Sequence, residues 1–305
     1  MEKIDQELLE QIADMHSIPQ GSYNIRKNGA SIARNTTKDI DIISKTDKSG
    51  IDIIVKPYVK NKSVHIPVII TVGNLSDLVY NDFYIGEGAD VLIVAGCGIH
   101  NDTDTTSQHD GIHSFHLEKN CKVKYIEKHL GLGNGSGKKV LNPVTNIEMQ
   151  DGSYFEMETV QLGGVSSSVR STYAKLYNDT KLVIKEKILT TDKQTATTKF
   201  HVDLIGTNSS VEVTSRSVAK NRSRQKFESN IHGKNECFGH VECDGILIDN
   251  AVIESTPKIV AEDVNATLVH EAAIGKIAGE QLIKLMTLGL TKEEAENLII
   301  KGFLK

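Results

Sequence analysis

Along the chain, apolar residues first recur at helical spacing. Ile4, Leu8, Ile12 and Met15 stand three or four apart with polar residues between them, which predicts an N-terminal helix. From about Thr37 to about Thr267 the period changes to two. Segments such as "GIDIIVKPYV", "ADVLIVAG", "CKVKYIEKH", "TKLVIKEKILTT", "SVEVTSRSV" and "HVECDGILID" alternate apolar and polar residues between Gly, Asn, Asp or Ser. No helical pattern interrupts them. Asn-Gly and Asp-Gly pairs, the usual hairpin turns, are few for so many strands. The recurring phrase is instead a turn such as "IGTNSSVEV" or "VGNLSDLVY" that leads into another short strand. Such a series stacks as coils, each burying its inward residues against the next. The expected fold is mainly β with a β-helix (β-solenoid) core. No strict repeat period is present, and an irregular jelly roll is the alternative.

Helical spacing returns from Glu271 to Leu288, through Ile274, Ile277, Leu282, Leu285 and Met286. Thr291-Lys292-Glu293-Glu294 then has the form of a capping box. Ala295, Leu298 and Ile299 continue that helix and Gly302 ends it. The expected organisation is a helical N-terminal segment (1–36), a β-helix core (37–268) and a C-terminal helical segment (269–305). The last covers an open strand edge or docks a partner.

Composition removes several functional classes. The chain has 305 residues, 25% charged, with a net charge of −5, which points to neither nucleic acid nor a membrane surface as partner. The longest apolar runs, such as Val91 to Ala95, are too short to span a bilayer. The opening "MEKIDQELLEQ" is acidic and amphipathic, unlike a signal peptide, so a cytoplasmic location is expected. The absence of tryptophan and of a secretion signal counts against a polysaccharide-active β-helix enzyme. Four cysteines, Cys97, Cys121, Cys237 and Cys243, are too sparse for a disulfide scaffold and are expected as thiols or metal ligands.

Two stretches carry candidate chemistry. "GCGIHNDTDTTSQHDGIHSF" holds Cys97, His100, His109 and His113. Cys-x2-His followed by His-x3-His is loosely related to zinc-ligand spacing, so the group is either a metal site or a set of turn histidines beside a buried thiol. His109 and Asp110 are a candidate hydrogen-bonded pair. In "ECFGHVECDG", Cys237 and Cys243 lie six apart and face the same side of a regular strand, unless Phe238-Gly239 turns the chain. His270 and Glu271 follow at the expected strand-to-helix junction. Thiolates completed by imidazole and carboxylate suit an iron–sulfur cluster.

Two other stretches read as structure. "GLGNGSGKK" lacks the leading glycine and the Ser or Thr of a phosphate loop and is expected to be a flexible surface loop, so ATP hydrolysis is not expected of this chain. "KNRSRQKF" sets Lys220, Arg222, Arg224 and Lys226 at alternate positions, the pattern of a solvated strand face without aromatics for base stacking.

The final stretch, "HVECDGILIDNAVIESTPKIVAEDVNATLVHEAAIGKIAGEQLIKLMTLGLTKEEAENLIIKGFLK", resembles the C-terminal core of the SufB/SufD scaffold proteins of the SUF iron–sulfur assembly system. The Cys-Asp strand, the proline-containing strand, His-Glu-Ala, the Gly-Leu-Thr-x-Glu-Glu-Ala cap and the final Gly-Phe carry the likeness. It extends back to about residue 37, in a compact SufB-like form. The resemblance implies a right-handed β-helix flanked by helices and a homodimer formed through that core. It implies a SufC-like ABC ATPase docked on the C-terminal helices, with nucleotide chemistry on that partner. A transient iron–sulfur cluster, [4Fe-4S] being one candidate, would be passed to apo iron–sulfur proteins.

The resemblance makes Cys243 the principal site of nascent cluster assembly. His270 and Glu271 become auxiliary ligands or iron acceptors, and Cys237 a lesser candidate. Val269 stands where SufB has a glutamate, while His270 matches the imidazole of SufD. The mid-core cysteine of sulfur-relay SufB proteins falls near Lys175 and Leu176, where this chain has none, so sulfur would enter as free sulfide or through Cys97 or Cys121. No family role falls on Cys97–His113, and a zinc-binding structural solenoid is the alternative function.

Overall fold

A computed structural model describes residues 2–161 and 163–305. Helix α1 (Lys3–Ala13) is followed by β1 (Ser22–Lys27), β2 (Ala30–Asn35), β3 (Ile40–Ser44), β4 (Gly50–Val55), β5 (Lys62–Ile70) and β6 (Leu75–Ile85). The middle of the chain forms β7 (Asp90–His100), β8 (Ser107–Leu117), β9 (Lys122–Leu132), β10 (Lys139–Leu141), β11 (Val144–Met149), β12 (Tyr154–Gln161) and β13 (Ser167–Leu176). Then come β14 (Lys181–Thr190), β15 (Thr195–Leu204), β16 (Ser209–Ala219), β17 (Arg224–Gly233), β18 (Cys237–Leu247), β19 (Val252–Ala261) and β20 (Thr267–Lys276). Helices α2 (Gly279–Thr287) and α3 (Lys292–Phe303) end the chain.

From β4 onward, strands alternate between two sheets, β10 and β11 together filling one position between β8 and β13, and each pairs in parallel with the strand one coil away. The molecule is a β-solenoid of about eight turns, 58% strand and 11% helix, as the alternating pattern predicts. The scarcity of Asn-Gly and Asp-Gly has a direct cause: parallel coils need corners, not hairpins. Asn120, Asp179, Asp192, Asn208 and Asn221 take left-handed backbone conformations at those corners, where a short polar side chain lowers the strain. They also stack, Asn208 Nδ2 donating to Asp179 Oδ1 at 3.1 Å and Asn221 Nδ2 to Asp192 Oδ1 at 3.2 Å.

One end of the solenoid is closed. The antiparallel pairs β1–β2 and β3–β4 finish the two sheets there. Helix α1 lies on the outer face of β7 and β9, burying Leu8, Leu9 and Ile12 against Val94 and Leu130. The glycines of "GCG" permit this approach: a Cβ on Gly96 would stand 2.7 Å from the Ile12 carbonyl oxygen, and one on Gly98 2.8 Å from the Leu8 side chain. At the other end β19 and β20 are the last strands of their sheets, with no strand beyond them among the described residues.

Several boundaries differ from expectation. Within 1–36 the helix stops at Ala13 and strands begin at Ser22, where Tyr23 and Arg26 already pair with β5. At the other boundary, the expected helix start at 269–271 is strand. β20 runs to Lys276 because Leu268, His270, Ala272 and Ile274 continue the rungs of β18, and pairing along a whole strand outweighs the helical spacing of Ile274 and Ile277. The capping box is present, Glu294 N–H donating to Thr291 Oγ1 at 3.2 Å and Thr291 N–H to Glu294 Oε2 at 2.8 Å.

"GLGNGSGKK" is no free loop: Gly135 and Gly137 N–H donate to the carbonyls of Asn101 and Thr103 at 3.1 and 2.9 Å. Lys220 and Arg222 belong to a corner, leaving only Arg224 and Lys226 on β17. No helix among the described residues is long and apolar enough to cross a membrane.

Candidate functional site

Parallel pairing stacks inward residues into columns that run the length of the solenoid, and the columns differ in chemistry. One, Ile93–Tyr125–Met157–Ile184–Val213–Val241, is mostly apolar. Its neighbour two residues along each strand reads Ala95–Glu127–Thr159–Glu186–Ser215–Cys243. The interior is thus divided lengthwise into an apolar half and a polar lane, and Cys243 is the last buried member of that lane.

The lane is held by charge pairing and hydroxyls. Arg170 reaches in from β13, donating to Glu127 through Nη1 and to His129 Nδ1 through Nη2 at 3.2 Å. Burial opposes ionisation of Glu127, yet Arg170 and His129 together hold its carboxyl well below the usual range. Glu186 is the reverse. Burial raises its pKa, and Arg170 with the hydroxyls of Ser215 and Thr198, donating at 2.7 and 2.8 Å, offsets only part of the rise.

Cys243 stands one rung beyond Ser215. Burial pushes its thiol up to about 11, the Ser255 hydroxyl opposing and Glu186 and Asp244 adding to the shift. Across the next rung His270 follows Val241 and Ala272 follows Cys243, so the imidazole shares the inward face with the thiol. A diagonal step of one strand and two residues separates their Cβ positions by about 8 Å. Ser255 Oγ lies within reach of the Cys243 thiol but, like His270 Nε2, is buried without a hydrogen bond of normal geometry among the described residues. Burial lowers the His270 pKa, and His240 lowers it further. Cys243, Ser255 and His270 therefore form a group of under-used polar atoms beside the open edge.

The other expected members are elsewhere. Glu271 projects from the outer face, its carboxylate 3.5 Å from His240 Nε2. Cys237 does face the same side as Cys243, since β18 runs unbroken through Phe238-Gly239. It is nevertheless about 20 Å away along the strand, too far to share one cluster. Ser255 was missed; its signal was alternation in "VIESTPKIV", where Ile253, Ser255 and Pro257 fall on one face.

The Cys97–His113 stretch is split by the strands that carry it. Cys97, on β7, and His109 and His113, on β8, all face inward and line one cavity with Gly111, Glu127 and His129. His100 does not join them and lies 3.5 Å from Asp102 near the surface. The expected His109–Asp110 pair is absent. His109 Nδ1 is 3.2 Å from Asp77 Oδ2, whereas Asp110 accepts from Gln108 and Asn142 on the outer face. Burial raises the Cys97 thiol far above the usual range. Cys121 is buried away from the lane, its thiol donating to the Gly86 carbonyl at 3.1 Å. Lys175 and Leu176 end β13, Leu176 buried in the apolar core. Among the described residues no three His, Cys, Asp or Glu side chains stand ready to hold a metal ion.

These features define a class: a parallel β-solenoid whose polar interior lane ends at a buried free thiol beside an unfinished C-terminal edge. The comparisons agree. The family described as SUF system FeS cluster assembly, SufBD core domain, matches residues 74–303, and the chain belongs to that family. It is 28% identical over 228 residues to an iron–sulfur cluster assembly SufBD family protein of Archaeoglobus fulgidus, covering 74% of this chain and 60% of the relative. A Methanothermobacter thermautotrophicus relative is 28% identical over 234 residues, covering 76% of this chain and 56% of the relative. One from Methanocaldococcus jannaschii is 26% identical over 255 residues, covering 83% and 79%. The chain thus spans little more than half the length of the first two relatives.

Proposed function

We propose that this chain is a scaffold on which iron–sulfur clusters are assembled in transit to apo-proteins, with Cys243 as the principal thiolate and His270 as its partner. The observation that carries this reading is the meeting of a buried thiol with two unpartnered polar groups, Ser255 and His270, where the polar lane reaches the open edge. Glu271 serves as an outer iron acceptor at that edge, and Cys237 has no part in the same cluster. A transient cluster, with [4Fe-4S] among its candidate forms, is cargo rather than a resident cofactor.

A thiol with a pKa near 11 is protonated at neutral pH and is a poor nucleophile and ligand until its surroundings change. The scaffold is therefore closed at rest and loads on opening. The opening force comes from a SufC-like ABC ATPase docked on α2 and α3, where Ile283, Met286, Leu288 and Leu298 are exposed. Helix α3 touches the strand next to the site. Arg216 donates to the Phe303 carbonyl at 3.3 Å and sits between Ser215 and Ser217 on β16, whose rung partners are Cys243 and Gly245. Partner binding that shifts α3 thus biases the strands around Cys243. A second copy pairing on β19 and β20 covers the bare edges and brings two Cys243–His270 groups toward one another, in the cytoplasm.

Anaerobic reconstitution with ferrous iron and sulfide, with and without the ATPase, tests the reading. Wild type is expected to acquire visible charge-transfer absorption with matching iron and acid-labile sulfide. Cys243→Ala loses it while keeping its circular dichroism. Unchanged cluster content in that variant overturns the assignment.

A further inference from the structure

The cavity between β7, β8 and β9 lies in the opposite half of the solenoid from Cys243 and is not used by the assembly reading. His109, Gly111 and His113 are successive inward positions of β8. Because Gly111 has no side chain, a space opens between the two imidazoles. A Cβ placed there would stand 3.3 Å from His109 Nε2 and 3.1 Å from His113 Nε2, so both nitrogens border the same point. The cavity around it measures about 10 Å³, room for one ion or one water, and Cys97 is in its wall.

Both imidazoles are oriented from behind. Asp77 faces His109 Nδ1 at 3.2 Å and is itself fixed by two bonds from Arg26, at 2.9 and 2.6 Å. That carboxylate holds a proton on Nδ1 and directs Nε2 toward the cavity. For His113, the Asn81 Nδ2 amide approaches Nε2 at 3.4 Å, which makes Nε2 the acceptor; Nδ1–H then donates to the Tyr125 hydroxyl at 2.7 Å. Asp77 and Tyr125 thus orient the two imidazoles so that both Nε2 atoms border a one-ion space beside a thiol, and an ion there takes the place of the Asn81 amide on His113 Nε2. His129, the rung neighbour of Cys97, is engaged by Arg170 and Glu127 and forms the far wall.

We propose that Cys97, His109 and His113 form a binding site for one divalent transition-metal ion of the zinc or ferrous class. Two imidazoles and a thiolate match that class in donor type, with a fourth position left for water. Among the described residues the three donors are not already gathered into a metal-ready cluster. The ion gathers them by rotation of the Cys97 and histidine side chains, and the thiol proton is released as the sulfur binds. The site does not depend on the cluster-assembly reading, and Cys243 has no part in it.

Cobalt(II) alone, titrated anaerobically into the metal-free full chain, reports the site through thiolate-to-cobalt charge transfer and tetrahedral d–d absorption. Wild type and Cys243→Ser are expected to take up one equivalent, displaceable by zinc. Cys97→Ser loses the charge-transfer band. His113→Gln binds at least about tenfold more weakly. Gly111→Ala keeps every ligand and fills the space between the imidazoles, so it loses the bound equivalent while circular dichroism stays as in wild type. Failure of wild type to bind one equivalent, or binding unchanged in both Gly111→Ala and His113→Gln, overturns the proposal.

Discussion

Single residues in this solenoid derive their chemistry from the column they occupy. Glu186 and Glu127 are both buried in the polar lane, yet their pKa values move in opposite directions because Arg170 bonds to Glu127 and only faces Glu186. For Glu186 the folded value lies above the unfolded one. Its contribution to stability is therefore present at acid pH and lost as pH rises through the folded pKa. Glu186→Gln, which keeps an acceptor for one of the two hydroxyls and donates its amide to the oxygen of the other, is expected to stabilise the protein by about 1 kcal/mol at pH 8 and by less at pH 4.5. Urea denaturation at the two values measures this. A variant less stable at pH 8 would show that the ionised carboxylate is satisfied where it stands.

At the scale of elements, the surface of β7 shows how one strand serves two neighbours. Its odd positions, Val91, Ile93, Ala95 and Cys97, face the interior, while Gly96 and Gly98 receive α1 on the outside. Gly96→Val is expected to push α1 off its seat and cost about 1–3 kcal/mol. Because the Cys243 site lies on strands far from β7, cluster assembly should survive. The readouts are the denaturation midpoint and the rate of proteolysis near residues 13–22. An unchanged midpoint would mean that α1 contributes little to the fold. The same element shows why the two expected site groups fared differently. His100 is one residue out of phase with Cys97, His109 and His113, and in a strand one residue is enough to send a side chain to the opposite face.

At the scale of the whole molecule, the two ends are unlike. Antiparallel pairs finish the N-terminal end, whereas β19 and β20 leave two ten-residue edges with their backbone groups unpaired by any further strand among the described residues. Such edges invite pairing unless covered. A second copy is the proposed cover, and Ala272→Pro, which removes an edge N–H and bends β20, is expected to convert a dimer into monomer. Light scattering coupled to size-exclusion chromatography distinguishes the two. A wild-type monomer at micromolar concentration would leave the edge to a different partner.

Much of this was legible in the linear pattern. Period-two alternation without hairpin signals dictates parallel coils, because each segment buries one face and the corners need only Asn, Asp or Gly. The Thr291–Glu294 cap, the shared face of Cys237 and Cys243 and the family likeness are equally local properties. What the tertiary structure alone decided is which residues become neighbours across coils. Sequence spacing placed Cys237 near Cys243 and Glu271 with His270, but rung register sets His270 on the inward face one rung from Cys243 and turns Glu271 outward, while the facing sheet brings Ser255 to the thiol. It likewise brought Asp77, Tyr125 and His129 to the Cys97 cavity from other coils, since in a solenoid the stacking partner lies about thirty residues away. Alternation tells which way a side chain faces; only the register of the stacked strands decides what it meets.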